Sequence, residues 1–133
     1  MSFLFDSNAV SEAMKRKPNL QVRELIDKQN LVFLSVVSVE EIYYGLTYKD
    51  AQKKWAWFEN FLQFRCEILP VTTDIAKQCA IWQGQFRKQG ITRSQADLLI
   101  GATALKHNLV LVTRNTRDFE GCDIQLFNPF GEP

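Results

Sequence analysis

The chain has 133 residues, of which 46% are hydrophobic, so residues 1–133 can form one domain with a core but are too few for two. The net charge of +1 neither favours nor excludes nucleic acid, because a small enzyme can bind phosphate through local charge alone. No apolar run approaches the ~18 residues of a membrane span, and the N-terminus lacks the charge order of a signal peptide. We therefore expect a cytoplasmic protein that does not enter the membrane.

The first half of the chain predicts two strands, each followed by a helix with a polar start. The apolar run at 2–5 predicts the first strand, and Asp6 or Ser7 can cap a helix that reaches Met14. Ser38 has Glu41 three residues later, which is the spacing of a capping box. The remaining predicted elements here are a helix at 19–29, a strand at 31–37, a helix opened by Ser38, a helix at 50–65 and a strand at 67–71.

A helix opened by Ser94 dominates the second half. Asp97 follows at the capping distance, and the rest of this helix is apolar on almost every side, so we expect it to pack against a sheet. The apolar run at 109–112 is typical of a strand covered on both faces, and hence of a parallel sheet. The other predicted elements are a helix at 73–89, a left-handed stop at Asn108 and a last strand at 123–127. The pattern indicates an α/β fold.

Histidine and cysteine offer little chemistry. The single histidine, His107, falls in the last turn of a predicted helix, where a cation suits the helix dipole. The cysteines Cys66, Cys79 and Cys122 are odd in number and lack C-x-x-C spacing, which favours free thiols over disulfides or a zinc site. Any catalysis must therefore depend mainly on carboxylates.

Acidic residues recur where predicted strands end and the next helices begin. Asp6 ends the first strand, Glu41 lies in the first turn after the second, and Asp97 lies in the first turn of the buried helix. Asn115 and Asp118 follow the end of a later strand. In a parallel sheet these positions share one edge. Two carboxylates about 5 Å apart repel by roughly 3 kcal/mol, which calls for a cation, and oxygen ligands select Mg²⁺ or Mn²⁺. These residues favour a metal-dependent phosphodiesterase or phosphatase.

Four segments resemble one known family. FLFDSNAVSE resembles an Asp-Thr-Asn motif with Ser in place of Thr, and SVEEIYYG resembles Ala-Glu-Leu-x-x-Gly. ADLLIGATALKHNLVLVTRNTRDF resembles Asp-x-x-Ile-Ala followed by Thr-x-Asp, and LFNPF is similar to a FitB-like ending. Together they resemble the PIN-domain ribonucleases, especially the VapC-type toxins of bacterial toxin–antitoxin pairs.

The resemblance implies a three-layer α/β/α fold with a central parallel sheet of four to five strands. It implies Mg²⁺ or Mn²⁺, cleavage of single-stranded RNA with tRNA among the candidate substrates, a homodimer and a cognate antitoxin. Asp6, Glu41 and Asp97 match the metal-binding acids of the family by position. The fourth acid falls on Asn115, which offers a carbonyl oxygen without charge, and Asp118 can compensate.

Two other function classes remain open at this point. The first is a PIN-like module that has lost catalysis through Asn115 and only binds RNA or protein. The second is a receiver-like signalling domain, which also gathers acids around Mg²⁺. The chain resembles a receiver less, because no adjacent acidic pair follows the first strand.

Two groups of basic residues are candidates for RNA contact. Arg114 and Arg117 flank the last acidic segment. Lys15, Arg16 and Lys17 follow the first helix, where the alternative is a plain solvated helix end. We expect loss of these charges to weaken RNA binding and to flatten its dependence on salt.

Aromatic residues are in surplus on two neighbouring predicted helices. One aromatic face can fill the core, whereas two faces call for a partner. We expect Trp57, Phe61 and Phe64, with Tyr44 or Tyr48, to form a groove for an antitoxin segment or part of a homodimer seam.

Overall fold

The protein is described here by a computed structural model that covers residues 2–131. These residues form five strands and six α-helices, with a 3₁₀ helix at Thr116–Phe119. The strands are β1 (Phe3–Phe5), β2 (Val32–Ser35), β3 (Cys66–Leu69), β4 (Val110–Val112) and β5 (Leu126–Phe127). The helices are α1 (Ser7–Ala13), α2 (Leu20–Asp27), α3 (Val36–Tyr48), α4 (Gln52–Arg65), α5 (Thr73–Lys88) and α6 (Gln95–Lys106).

All five strands belong to one parallel sheet in the order β3-β2-β1-β4-β5. Parallel neighbours need crossover connections, and the helices between consecutive strands supply them. The predicted α/β fold with a parallel sheet is therefore confirmed.

Helices cover both faces of the sheet. Successive strand residues point to opposite faces, so Phe5 and Leu4 belong to different layers. Phe5 packs in a core cluster with residues of α1 to α4, whereas Leu4 packs with Ile100 and Ala104 of α6. Phe119, from the 3₁₀ helix, lies 3.4 Å from the place where a Cβ on Gly101 would stand. The result is the three-layer α/β/α arrangement that was expected.

The strands that carry the candidate acids end at one edge of the sheet. Phe5 is paired with Val112, and the Asp6 N–H donates to the Val112 carbonyl at 3.1 Å. Ser35, at the end of β2, is paired with Leu69. The residues that follow these strands therefore start their helices and loops side by side.

The predicted start of the third helix was wrong. The helix begins at Val36 with Ser35 as its cap, and the Ser35 Oγ accepts a hydrogen bond from the Val37 N–H at 3.1 Å. The two valines have strand propensity, but β3 offers no pairing partner beyond Leu69, so the chain turns into the helix. Glu41 consequently lies in the second helical turn and not in the first.

The predicted aromatic groove on α4 was also wrong at Phe61. Phe61 is only 4% exposed, and Trp57 stacks on it with the ring centroids 4.8 Å apart. Trp57 itself packs against the core cluster that contains Phe61, and the Arg65 guanidinium ties α4 to α2 by donating to the Ile26 carbonyl at 3.1 Å. Both aromatic faces of α4 therefore contribute to the core, and Phe64, 66% exposed, is left at the surface.

Two further features of the described residues concern the cysteines and the helices. The thiols of Cys66, Cys79 and Cys122 are free, as expected. No helix within residues 2–131 is both long and apolar enough to cross a membrane.

Phe61→Ala should lower the free energy of unfolding by about 3–5 kcal/mol, because it removes a buried ring and leaves a cavity. Phe64→Ala is the matched control on the same helix, and it should change stability by no more than about 0.5 kcal/mol. Urea unfolding of both variants measures the difference. Equal destabilisation by the two substitutions would contradict the assignment of Phe61 to the core.

Candidate metal centre at the sheet edge

Asp6 is the most buried of the candidate acids. It caps α1, where its Oδ1 accepts a hydrogen bond from the Ala9 N–H at 2.9 Å, and its residue surface is 7% exposed. Burial raises the pKa of Asp6 to about 6, against the lowering effect of hydrogen bonds from the Thr113 side chain and the Ala9 N–H. The charges of Asp97 and Glu41 raise the pKa further.

Glu41 is tied to the residue next to Asp6. The Ser7 hydroxyl donates to the Glu41 Oε1 at 2.8 Å, and this bond joins the start of α1 to α3. The side chain is half-buried. Because the true cap of α3 is Ser35, Glu41 lies farther along the helix than expected and faces Ser7.

Asp97 lies in the first turn of α6, as expected. Its N–H donates to the Ser94 Oγ at 3.1 Å, so Ser94 caps the helix. Burial raises the pKa of Asp97, and the charges of Asp118 and Glu41 raise it further. The Asp97 carboxylate is therefore within electrostatic reach of acids on two other elements.

Arg93 holds the loop that carries Asp118. Its Nη1 donates to the Arg117 carbonyl at 3.0 Å and its Nη2 to the Glu120 carbonyl at 3.1 Å, on either side of Asp118. The guanidinium carbon lies 5.0 Å from the centroid of the Phe86 ring. These contacts fix the 3₁₀ helix against the segment that leads into α6.

Asn115 lies between Thr113 and Asp118 in the loop after β4, and its side chain is exposed. Its N–H donates to the Thr113 Oγ1 at 3.0 Å, and its carbonyl accepts from the Asp118 N–H at 3.1 Å. The backbone of Asn115 thus orders the loop, whereas its amide side chain makes no capping bond to the 3₁₀ helix. Its role as a metal ligand stays a prediction.

The two groups of basic candidates lie on different elements. Arg114 and Arg117 are exposed and belong to the same loop as Asp118, and the Arg114 guanidinium lies over the Phe130 ring at 4.5 Å. Residues 15–17 are exposed beyond the far end of α1, a helix about 10 Å long. The first pair is therefore closer to Asp118 along the chain, and the trio flanks the opposite end of the Asp6 helix.

The acidic side chains fit a hard cation. None of Asp6, Glu41, Asp97 and Asp118 forms an ion pair within the described part of the chain. Their oxygens are the ligands that Mg²⁺ and Mn²⁺ prefer. Among residues 2–131, no three His, Cys, Asp or Glu side chains are grouped closely enough to hold a metal ion together.

The sequence reasoning missed two residues that shape the site. Thr113 is fully buried and bonds to the Asp6 carboxylate, and a polar residue at the end of an apolar strand was a signal that could have identified it. Arg93 had no such signal, because its carbonyl partners lie 24 and 27 residues away along the chain.

Comparisons with known proteins find one family and relatives of similar length. The family model described as PIN domain matches residues 3–123. The VapC ribonuclease Y4jK of Sinorhizobium fredii is 30% identical over 96% of both chains. Toxin FitB of Neisseria gonorrhoeae is 32% identical, with 96% of this chain and 97% of FitB covered.

Solved structures give the same result. The crystal structure of FitAcB from Neisseria gonorrhoeae contains a chain that superposes with a TM-score of 0.82 at 30% identity, covering 98% of this chain and 99% of that one. A chain in the structure of FitAB bound to a DNA fragment superposes with a TM-score of 0.79 at 27% identity, covering 98% and 97%.

Asp6→Asn should stabilise the metal-free protein at neutral pH. The folded-state pKa near 6 lies above the ordinary value of 3.8, so the folded chain binds a proton as the pH falls through 6, before the unfolded chain does. The contribution of Asp6 to stability therefore rises as the pH falls from about 7 to about 4, by on the order of 1–3 kcal/mol. Asn keeps the cap and carries no charge, so the variant should be more stable than the parent at neutral pH and should lose this pH dependence. Urea unfolding in EDTA across this pH range measures it, and a variant less stable than the parent at neutral pH would contradict the prediction.

Proposed function

The chain belongs to the PIN-domain family, and we propose that it is an endoribonuclease, the toxin of a toxin–antitoxin pair that a cognate antitoxin inhibits. The observation that carries this proposal is the placement of four carboxylates at one edge of the sheet, where the charge of each acts on another: Asp6, Glu41, Asp97 and Asp118. The pKa of Asp6 and the pKa of Asp97 are both raised there. The relatives named VapC ribonuclease and Toxin FitB support it at 30% and 32% identity over nearly the whole chain.

We propose that Mg²⁺ or Mn²⁺ is held by Asp6, Glu41 and Asp97, with Asp118 as a fourth acid close to Asp97. The repulsion between Asp97 and its acidic neighbours supports this assignment, because a cation would relieve it. When bound, such an ion lowers the pKa of water and stabilises negative charge that develops on a phosphate in an in-line displacement.

The neighbouring side chains orient the acids. Ser7 donates to one oxygen of Glu41 and leaves the other oxygen available. Thr113 and the Ala9 N–H bond to Asp6, so the carboxylate is held in one position at the end of β1. Arg93 keeps the Asp118 loop close to Asp97. We propose Arg114 and Arg117, on the Asp118 loop, and residues 15–17, after α1, as RNA contacts.

The alternative of a module without catalysis depended on Asn115. Asp118 supplies a negative charge that acts on Asp97, so the edge retains a fourth acid despite the Asn115 amide. This favours a catalytic site. The receiver-like alternative is disfavoured by the family match over residues 3–123.

The proposed partners are an RNA substrate, an antitoxin and a second copy of the chain. The structural similarity to chains of FitAcB and FitAB supports the antitoxin. Incubation of the purified chain with tRNAs and with unstructured RNA, in Mn²⁺, Mg²⁺ or EDTA, tests the activity. Cleavage that needs the metal supports the proposal, and no cleavage of any RNA in either metal would overturn it.

Asp97→Asn should abolish cleavage while the fold stays intact. Asn can still occupy the first turn of α6, and loss of the charge removes repulsion from Asp118 and Glu41, so the melting temperature should stay the same or rise. Asp74→Asn is the matched control, because Asp74 also lies in a first helical turn but pairs with Lys106 at the surface. An active or an unfolded Asp97→Asn variant would make Asp97 a structural cap only.

Asn115→Asp should leave Mn²⁺ affinity unchanged or raise it, because it adds a carboxylate next to the proposed site. Asn60→Asp, an exposed change on α4, controls for net charge. Isothermal titration with Mn²⁺ measures both variants. A marked fall in affinity for Asn115→Asp alone would exclude position 115 from the site.

A further inference from the structure

A groove extends from the acidic edge between α1, α3 and α4. Its volume is about 160 Å³, and Glu41 lies at the acidic edge of it. Apolar residues, including Ile42 and Leu46, form its floor, and the rest of the lining includes Gly45 and three lysines, Lys15, Lys49 and Lys54. We call it the lysine groove. Only Lys15 belongs to the basic residues that the sequence singled out, and the other two lysines come from the end of α3 and the start of α4.

The groove carries positive charge that the protein does not neutralise. Lys15 pairs with Glu12 at 2.9 Å, but neither Lys49 nor Lys54 forms an ion pair with any residue among 2–131. Two ammonium groups beside a cluster of acids attract an anion to the groove and not to the acids themselves. A phosphate chain that must reach the acidic edge fits this charge pattern.

Gly45 keeps the groove open next to Glu41. A Cβ at this position would meet no atom within 4 Å, so packing does not require glycine here. Glycine inside a helix is destabilising relative to alanine. Residues four apart lie on the same side of a helix, so any side chain at position 45 would stand directly beside Glu41.

Two exposed tyrosines follow Glu41 on α3 by three and seven residues, and they flank it on the side of the helix turned away from Gly45. Tyr44 and Tyr48 are 68% and 82% exposed, and their rings are stacked with an interplanar angle of 18°. Exposed aromatic rings offer a stacking surface to unpaired bases, whereas bases inside a duplex are already stacked. The groove side of α3 therefore suits phosphates, and the tyrosine side suits single-stranded bases.

We propose that the lysine groove binds the phosphate backbone of a single-stranded RNA segment next to the acidic site, and that Tyr44 and Tyr48 stack on its bases. This inference rests on the proposed ribonuclease function and names a path for its substrate. A protein segment is the competing occupant, but the two unpaired lysines favour a polyanion.

The test measures binding of a short, fluorescent, unstructured RNA in EDTA by anisotropy at several salt concentrations. Gly45→Glu and Gly45→Lys add side chains of similar length and opposite charge. We expect Gly45→Glu to weaken binding about tenfold or more and Gly45→Lys to weaken it far less. Gly45→Ala should bind RNA nearly as the parent does and should melt at a higher temperature.

Lys49→Ala and Lys54→Ala should each reduce the slope of log affinity against log salt by about 0.7, the value for one contact to single-stranded nucleic acid. Lys77→Ala and Lys88→Ala, on α5, are the matched controls and should leave the slope unchanged. Two results would refute RNA binding in the lysine groove: equal effects of Glu and Lys at position 45, or parental slopes for Lys49→Ala and Lys54→Ala. Either result would favour a protein segment as the occupant.

Cleavage of the same RNA with Mn²⁺ separates two kinds of failure. If the parent cleaves RNA but the groove variants bind it normally, only the groove assignment is wrong. If the parent neither binds nor cleaves RNA, the proposed function fails.

Discussion

β1 pairs in parallel with β2 on one side and with β4 on the other, and the position of every candidate acid depends on this pairing. Parallel strands run in one direction, so their ends meet at one edge although the residues are far apart in sequence. The Asp6 N–H still bonds to the Val112 carbonyl, which carries the register one residue past the end of β1. An antiparallel neighbour would have ended at the opposite edge and left Asp6 without its Thr113 partner.

The pKa of Asp6 shows which of two opposing effects on its carboxylate is larger. A carboxylate at a helix N-terminus with two hydrogen bonds should have a lowered pKa, because the donors and the helix dipole favour its charge. Burial and acidic neighbours act in the opposite direction, and the pKa of about 6 means that they prevail. The metal-free protein thus disfavours the negative charge of Asp6. A bound cation would favour that charge and lower the pKa.

The sequence predicted those parts of the fold that are determined by residues close together in the chain. The Ser94 cap, the left-handed Asn108 with φ of 53° and the buried β4 are set by residues close in sequence, and all three were anticipated. The start of α3 was not, because the end of β2 depends on where β3 stops. Whether Phe61 is core or surface likewise depends on α2, which lies far away in the chain. The convergence of the acids could be predicted from strand ends, whereas their distances and the Arg93 contacts could not.

The net charge of +1 does not indicate whether the protein binds nucleic acid, because acidic and basic side chains lie in separate regions of the surface. The acidic edge repels phosphate as long as it lacks a cation, since its carboxylates make no ion pairs in the described residues. The lysine groove attracts phosphate whether or not a cation is bound. The two regions meet at Glu41 and have different roles. The groove holds the RNA chain, and the acidic edge, once a cation is bound, would attract one phosphate of that chain. Binding and cleavage of RNA would therefore depend on different sets of side chains, which meet at Glu41 on α3, where Gly45 leaves the passage open.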